Sequence, residues 1–552
     1  MSATGADGLV AALEGAGVGV VFGLPGVHNL AAWEALRTSP IRLIGVRHEQ
    51  AAAYAADGYA RTTGRAGVAL VTTGPGAANT LGAVGEAWAS RSPVVVIATD
   101  VPTGLRREGV HRGMLHEVPD QAGLFRPVTK AALRVERAAD VGDAVALALG
   151  RASTPPARPV YVEVPTDLLG ASEPKPSPGS DPLEGAGSSG SDPLEGASSS
   201  GSDPLEGSLR VAADLLADVQ RPLVWAGGGA VDAGDAVAAL AERLGAPIFT
   251  TYTARGVAGG HPLAVGLPPH LPRTGALWDQ ADAVVAVGSD LDGMSTQNWL
   301  HPRPPTLVAI NVDRDDAAKN YEPDVVIEGD ATLAAGLASR VDGPREPWVD
   351  LEGLRRSALD DLRRDFPAEL RFLDAVPAEA VVFADMCIPG YWLAGFRRVP
   401  APRRLAYPMG WGTLGFAFPA ALGAAAAGPD APVVSVSGDG GFLFAPGELA
   451  TLAQERLPLT AVIVDDAGYG MLRYDQDAAG RERTGVDLAT PDFEALAASF
   501  GLRAQTVEGL DDAFEHALAE HLADAAPSVL VAKAALQPPP TTSPRWYRKR
   551  SA

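Results

Sequence analysis

Short runs of β-branched residues alternate with alanine-rich stretches along almost the whole chain. No other feature of the sequence limits the fold as strongly. Before residue 172 the runs are Ile41–Val46, Val68–Thr72, Val94–Thr99 and Val160–Val164, with helical stretches such as Gln50–Thr62 between them. Further on they are Leu223–Ala226, Pro247–Thr250, Ala283–Val287 and Leu307–Val312, then a charged helical stretch Leu351–Phe366, then Val433–Ser437, Ala461–Val464 and Val529–Ala532. Strands separated by helices pair in parallel, because the crossover carries the chain back to the same end of the sheet. The expectation is an α/β protein of three doubly wound parallel-sheet domains. Ligands of such sheets sit at the carboxyl ends of strands, so the strand-to-loop junctions should carry the chemistry.

One segment breaks the alternation. From Ser172 to Gly207 the chain is rich in Pro, Gly and Ser and holds GSDPLEG three times, starting at Gly179, Gly190 and Gly201. A solenoid is the alternative reading, but units this polar cannot bury a core, which favours a flexible or partly extended linker. The expected division is residues 1–171, a linker at 172–207, then 208–343 and 344–552. A length of 552 residues suits three or four domains at roughly 150 residues each.

Composition narrows the function classes. Asp+Glu total 67 against 45 Lys+Arg, a net charge of -22, so no basic surface for nucleic acid is expected. Bulk charge leaves anionic small ligands open, since a local glycine-rich loop or a metal can hold one. The single cysteine, Cys387, excludes an intramolecular disulfide framework and a cysteine-based metal cluster. A reducing, cytoplasmic setting fits. The start of the chain shows no signal-peptide pattern and no apolar run of membrane-spanning length is present, so no membrane association is expected. The tail Pro538–Arg550 is rigid, then basic and aromatic; a nucleic-acid contact is the alternative, but against the net charge of -22 it is read as folding back over an acidic subunit or the active site.

Two junctions stand out. Val433–Ser437 runs into Gly438-Asp439-Gly440-Gly441, and Ala461–Val464 runs into Asp465-Asp466-Ala467-Gly468-Tyr469-Gly470. Adjacent parallel strands would bring Asp439 and Asp466 side by side. Two carboxyl oxygens, a backbone carbonyl and two phosphate oxygens make a near-octahedral Mg²⁺ shell with room for a water. The bland alternative is two solvated acidic turns.

This spacing resembles the diphosphate–Mg²⁺ motif of thiamine diphosphate (ThDP) enzymes of the acetolactate synthase and 2-oxo acid decarboxylase type. The resemblance extends along nearly the whole chain outside the linker. Phe22-Gly23-Leu24-Pro25-Gly26, Arg47-His48-Glu49-Gln50 and Thr73-Gly74-Pro75-Gly76-Ala77-Ala78-Asn79 are similar to segments of the pyrimidine-binding domain. Gly412-Thr413-Leu414-Gly415-Phe416 is similar to the segment that grips the aminopyrimidine from the diphosphate-binding domain. It implies pyrimidine-binding, central and diphosphate-binding domains in that order. It implies Asp439, Asp466 and the Gly468 carbonyl as metal ligands. The cofactor-binding residues implied are Pro25, Glu49, Gly74, Asn79, Gly412, Thr413, Leu414, Gly438, Asp439, Gly440, Gly441, Asp466, Gly468, Tyr469, Gly470 and Met471. The family usually has Asn-Asn where this chain has Asp465-Asp466, which adds negative charge beside the diphosphate.

Glu49 lies where a strand ends and an alanine-rich helix begins, so its carboxyl group is poorly solvated. By the resemblance it hands a proton to the pyrimidine ring nitrogen. The bland alternative is a helix-terminal glutamate favoured by the dipole. Leu414 corresponds to the apolar wedge that bends the cofactor. His28, His116 and Gln121 are the substrate-side catalytic candidates. The implied activity is decarboxylation of a 2-oxo acid, with release of an aldehyde or ligation to a second carbonyl. Acetolactate synthases have an aromatic anchor where this chain has Asp475, and the stretch from Pro402 to Pro408 looks closer to guanidino-oxo-acid decarboxylases. The partners implied are a small 2-oxo acid and a second copy of the chain, as a homodimer or homotetramer with the active site at the subunit interface. The alternatives are a non-catalytic scaffold of the same fold, which only Asp465-Asp466 supports, and a carboligase holding FAD in the central domain. Gly227-Gly228-Gly229 follows a strand there, but the expectation leans against FAD. Gly15-Ala16-Gly17-Val18-Gly19 follows a helix and precedes a strand, the reverse of a dinucleotide turn.

Overall fold

The computed structural model describes residues 3–107, 109–172 and 204–540. The chain divides into two compact units, residues 1–56, 65–88 and 92–207 in one and residues 57–64, 89–91 and 208–552 in the other.

The first unit is built on β1 (Val20–Gly23), β2 (Arg42–Gly45), β3 (Gly67–Val71), β4 (Val94–Asp100), β5 (Ala131–Arg134) and β6 (Val160–Pro165). All pairs are parallel, in the order β2-β1-β3-β4-β6-β5. Every residue of β3, β4 and β6 is buried. That is why these strands read as unbroken apolar runs and not as alternating ones. Leu9 and Leu13 from one helix and Val141, Val145 and Ala148 from another pack on Val21, Val68, Val95 and Val160 of the sheet.

The second unit holds two sheets. One is β7 (Pro222–Ala226), β8 (Ile248–Thr250), β9 (Ala283–Val287), β10 (Thr306–Asn311) and β11 (Val325–Glu328), in the order β11-β10-β9-β7-β8. The other is β12 (Val381–Ala384), β13 (Leu405–Ala406), β14 (Val433–Gly438), β15 (Leu459–Asp465), β16 (Arg503–Glu508) and β17 (Ser528–Lys533), in the order β13-β12-β14-β15-β17-β16. Both are parallel throughout. This last sheet repeats the strand order of the first. In each, the order reverses between the first and third strands, and the loops after β1 and β3, and after β12 and β14, open at that crevice.

The α/β class with three parallel sheets is as expected, and each strand run named from the sequence is a strand. β1, β5, β11, β12, β13 and β16 were not singled out. They are short or, like β16 and β5, only partly buried. One boundary needs correction. Pro204–Leu216 is a helix, so the last four residues assigned to the linker are helical. Proline fits a first helical turn, and Leu209, Ala212 and Leu216 give that helix a buried face. The rest of the repeats, at 173–203, and the tail from residue 541 lie outside the described residues. No helix among the described residues is long and apolar enough to cross a membrane.

Candidate active site

The expected site residues form two groups, one in each unit. In the first unit Glu49 opens the helix Glu49–Thr63 directly after β2. Its side chain is buried, and Asn79 Nδ2 donates to Glu49 Oε2 at 2.9 Å. Asn79 ends the short turn Pro75–Ala78 that follows β3, so this bond ties two strand ends together. Asn79, expected to touch the cofactor, here orients Glu49. A Cβ on Gly76 would stand 3.5 Å from Glu49 Oε1, so the turn passes close to the carboxyl group.

The loop after β1 carries Pro25, Val27 and His28. Asn29, fully buried, holds it: the Gly26 N–H donates to Asn29 Oδ1 at 2.8 Å, and Asn29 Nδ2 donates to the Leu24 carbonyl at 3.1 Å. His28 Nδ1 lies 2.8 Å from Thr73 Oγ1, and the His28 and His116 rings meet edge-on at 5.4 Å. Burial, then the neighbouring His116, holds the His28 imidazole below its ordinary range, with Asp100 opposing. Gly74 sits at φ +63, and a Cβ there would fall 2.4 Å from the His116 carbonyl oxygen. Only glycine suits both the dihedral and the approach.

Gln121 lies beneath this loop. Its Oε1 accepts from the Gly74 N–H at 2.5 Å, while its Nε2 donates to the Thr99 carbonyl at 2.9 Å and to Tyr161 Oη at 2.7 Å. A third contact of Nε2, at 3.3 Å, reaches Glu163 Oε2. Gln121 is buried, so the structure places it as a brace for Gly74. Glu163 and Asp100, both buried, share the guanidinium groups of Arg106 and Arg134. Burial, then the Asp100 charge, pushes the Glu163 carboxyl up to about 8.

In the second unit β14 and β15 are paired in register from Val433↔Leu459 to Gly438↔Val464. Asp439 and Asp466 therefore leave the sheet from neighbouring strand ends. The Gly468 N–H donates to Asp439 Oδ2 at 2.8 Å. The loop is held from the far side by the Tyr469 N–H on the Val486 carbonyl and the Leu488 N–H on the Ala467 carbonyl. A Cβ on Gly470 would lie 2.4 Å from Asp466 Oδ2.

Burial, with the Asp466 and Asp465 charges adding to it, pushes the Asp439 carboxyl up to about 7. Burial also raises Asp466, against the pull of Arg473. Carboxyl groups gathered in this way suit a bound divalent cation, which would remove the repulsion. No cluster of three or more His, Cys, Asp or Glu side chains suited to a metal occurs among the described residues. The expected shell needs only two, with the Gly468 carbonyl and diphosphate oxygens completing it.

Asp385 is the residue the sequence reading missed. It directly follows β12, is fully buried, and accepts from the Met386 N–H at 3.0 Å, the Gly415 N–H at 2.9 Å and the Phe416 N–H at 3.4 Å. It thereby shapes the loop of Gly412, Thr413 and Leu414, in which the buried Thr413 Oγ1 has no partner among the described residues. A carboxylate directly after Val381–Ala384 was the available signal, hidden because that strand is only four residues long. Tyr469 and Met471 stand at and just after the start of the helix Gly470–Ala478, which buries none of its own residues. Leu472 and Tyr474 on it are exposed.

The turn after β7 is packed from within. A Cβ on Gly227 would meet the Gly288 carbonyl oxygen at 2.4 Å, and the Gly229 N–H donates to that oxygen at 2.9 Å. The glycines there admit the neighbouring strand's loop.

The chain matches three family models. They are the N-terminal TPP binding domain of thiamine pyrophosphate enzymes over residues 3–124, the central domain over 209–336 and the C-terminal TPP binding domain over 386–532. It is 33% identical over 541 residues to a protein of Pseudomonas aeruginosa named probable 2-ketoarginine decarboxylase AruI, covering 92% of this chain and 90% of that one. It is 31% identical to a probable acetolactate synthase large subunit of Methanocaldococcus jannaschii, covering 92% of this chain and 88% of the relative. An acetolactate synthase of Mycobacterium bovis is 32% identical, with 94% and 86% covered. With three matched domains in order and relatives aligned over nearly their full length, the chain belongs to the thiamine pyrophosphate enzyme family.

Proposed function

We propose that this chain is a ThDP- and Mg²⁺-dependent enzyme that decarboxylates a 2-oxo acid carrying a cationic tail. The observation that supports the cofactor assignment best is the pair Asp439 and Asp466 on adjacent strand ends, with Gly468 bonded between them. In this reading Asp439, Asp466 and the Gly468 carbonyl hold the metal, Gly438, Gly440, Gly441 and Gly470 give the diphosphate access to the backbone, and Tyr469, packed on Gly440, borders it. Gly412, Thr413, Leu414 and Met471 hold the body of the cofactor, with Pro25, Gly74 and Asn79 on the opposite side.

When bound, ThDP supplies a carbon nucleophile and an electron sink for the departing carboxylate. The chain's own residues do the rest. Glu49, held by Asn79, carries the proton exchanged with the pyrimidine ring nitrogen. His28 and His116 face the substrate, and His28, held largely neutral by burial, can accept or deliver a proton at the acyl carbon. Gln121 positions Gly74. Asp475, on the exposed helix Gly470–Ala478, is raised by desolvation and is proposed to meet the cationic tail of the substrate. An ionic partner on the substrate would relieve it. The name of the Pseudomonas relative favours such a substrate, while the synthase names favour ligation to a second carbonyl as the alternative outcome.

The two groups of residues belong to different ends of the chain, and we propose that they meet across the interface of a homodimer or homotetramer in the cytoplasm. The central domain is proposed to work without FAD, since its glycine turn is filled by the loop after β9.

The test is CO₂ release from a panel of 2-oxo acids with ThDP and Mg²⁺, with product analysis. Guanidino or amino 2-oxo acids should be preferred over pyruvate. Preference for pyruvate with a ligated product would move the assignment to the carboligases. Absence of ThDP binding by calorimetry would favour the non-catalytic scaffold. A flavin absorbance in the purified protein would overturn the FAD assignment.

A further inference from the structure

Two adjacent carboxylates, Asp465 and Asp466, leave the end of β15, so the cradle carries more negative charge than a single metal ligand there would bring. Each of the two carboxylates has a cation beside it, although Arg473, the one beside Asp466, is shared with Asp487. Asp465 is buried, accepts from the Ala467 N–H at 3.0 Å and is ion-paired with Lys533, which ends the neighbouring strand β17. Its charge is thus spent inside the sheet edge. Asp466 faces the site and is served by Arg473, one helical turn into Gly470–Ala478. Arg473 Nη1 donates to the Asp466 carbonyl at 2.7 Å and stands 3.9 Å from Asp466 Oδ1. Its Nη2 donates to the Ala467 carbonyl, and its Nε donates to Asp487 Oδ1 at 2.7 Å. The guanidinium therefore reads the whole metal loop from behind: two of its carbonyls, its carboxylate, and the segment 486–488 that pins it.

We propose that Arg473 is a positioning residue that cancels the added charge of Asp466, so that the cradle binds a metal diphosphate with the net charge of a site built on one aspartate and one amide. This rests on the reading of Asp439, Asp466 and Gly468 as the metal site. Asp439 and Asp466 contribute two negative charges and Arg473 one positive; Asp487, which also pairs with Arg473, is 63% exposed and screened by solvent, so about one negative charge is left inside the cradle, as with an aspartate–asparagine pair. Without Arg473 the surplus charge faces the diphosphate through a partly buried, weakly screened path. Lys533 does the same for Asp465 further from the ligand.

The experiment is a double-mutant cycle on the full-length protein, read as ThDP affinity by calorimetry at saturating Mg²⁺. Arg473→Gln should weaken ThDP by about tenfold or more, roughly 1.4 kcal/mol for each tenfold. Adding Asp466→Asn to that variant should restore affinity to within about threefold of the original, because the amide removes the charge that had lost its partner. Arg473→Lys, which keeps the charge and loses the fork, should stay close to the original and covers the case in which Arg473→Gln does not fold. An unchanged affinity in Arg473→Gln would overturn the proposal. So would failure of Asp466→Asn to rescue it, since a residue that only braced the loop carbonyls would not be rescued by an amide. Asp439→Ala is the separate check on the metal reading: if ThDP affinity and its Mg²⁺ dependence are unchanged there, the site itself is misassigned, whatever Arg473 does.

Discussion

Replacing Asp385 by asparagine isolates the contribution of a residue that touches the 412–416 loop only through backbone. Burial raises its carboxyl to about 6, even though three N–H groups accompany it. Relative to an ordinary aspartate near 3.8, ionising it in place costs about 3 kcal/mol at neutral pH, at roughly 1.4 kcal/mol per pH unit. Asparagine escapes that cost. It keeps one acceptor oxygen, enough for Met386 and Phe416, but sets an NH₂ against the Gly415 N–H. A lost bond to a charged acceptor is worth about 1.5–3 kcal/mol, and a buried unpaired donor adds to it. The two effects nearly offset in global stability. They do not offset in the loop, where Gly415 is released, and ThDP affinity should fall about thirtyfold, near 2 kcal/mol.

The pH dependence separates the two effects. A carboxyl group raised in the folded state stabilises fully below about 3.8, and that stability is lost as pH rises through about 6. Asp385→Asn lacks this loss, so its melting temperature relative to the original should be higher at pH 8 than at pH 5. Calorimetric ThDP titration and thermal unfolding at both pH values are the assays. Unchanged ThDP affinity, or an equal drop in melting temperature at both pH values, would refute the role of Asp385 in shaping the loop.

Glu49→Gln should leave folding intact and abolish exchange of the cofactor's C2 proton followed by NMR, because an amide neither releases nor takes up a proton as the carboxyl group does. Gly470→Ala should weaken Mg²⁺-dependent ThDP binding by about tenfold or more, since its methyl group would press on Asp466 Oδ2, and calorimetry reads this directly. Glu163→Gln should raise the melting temperature at pH 8 and change it little at pH 4.5. The raised Glu163 carboxyl stabilises the fold fully only below its ordinary range and loses that stability as pH rises through about 8. Equal shifts at both pH values would count against the buried charge.

The local composition of this chain was enough to reveal three parallel sheets, because strands buried on both faces must be apolar at every position, as β3, β4, β14 and β15 largely are. The glycine-aspartate turns were legible for a related reason: close backbone approach demands glycine, so runs of glycine at a strand end mark where the backbone turns tightly. Edge strands such as β16, with mixed burial, carry no such signature. Asp385 was equally silent, since a carboxylate whose partners are backbone N–H groups leaves no mark at its partners' positions. The roles of Asn79 and Gln121 depend on contacts with residues far along the chain, Glu49 in one case and Gly74, Tyr161 and Glu163 in the other. Asp465 and Asp466 look interchangeable in the sequence, yet one is neutralised inside the sheet by Lys533 and the other faces the site beside Arg473. Residue type and spacing determine which elements form and where ligands can approach. Which charge meets which partner is decided only when distant strand ends are brought together, because Coulomb and hydrogen-bond energies depend on distances that no spacing along the chain encodes.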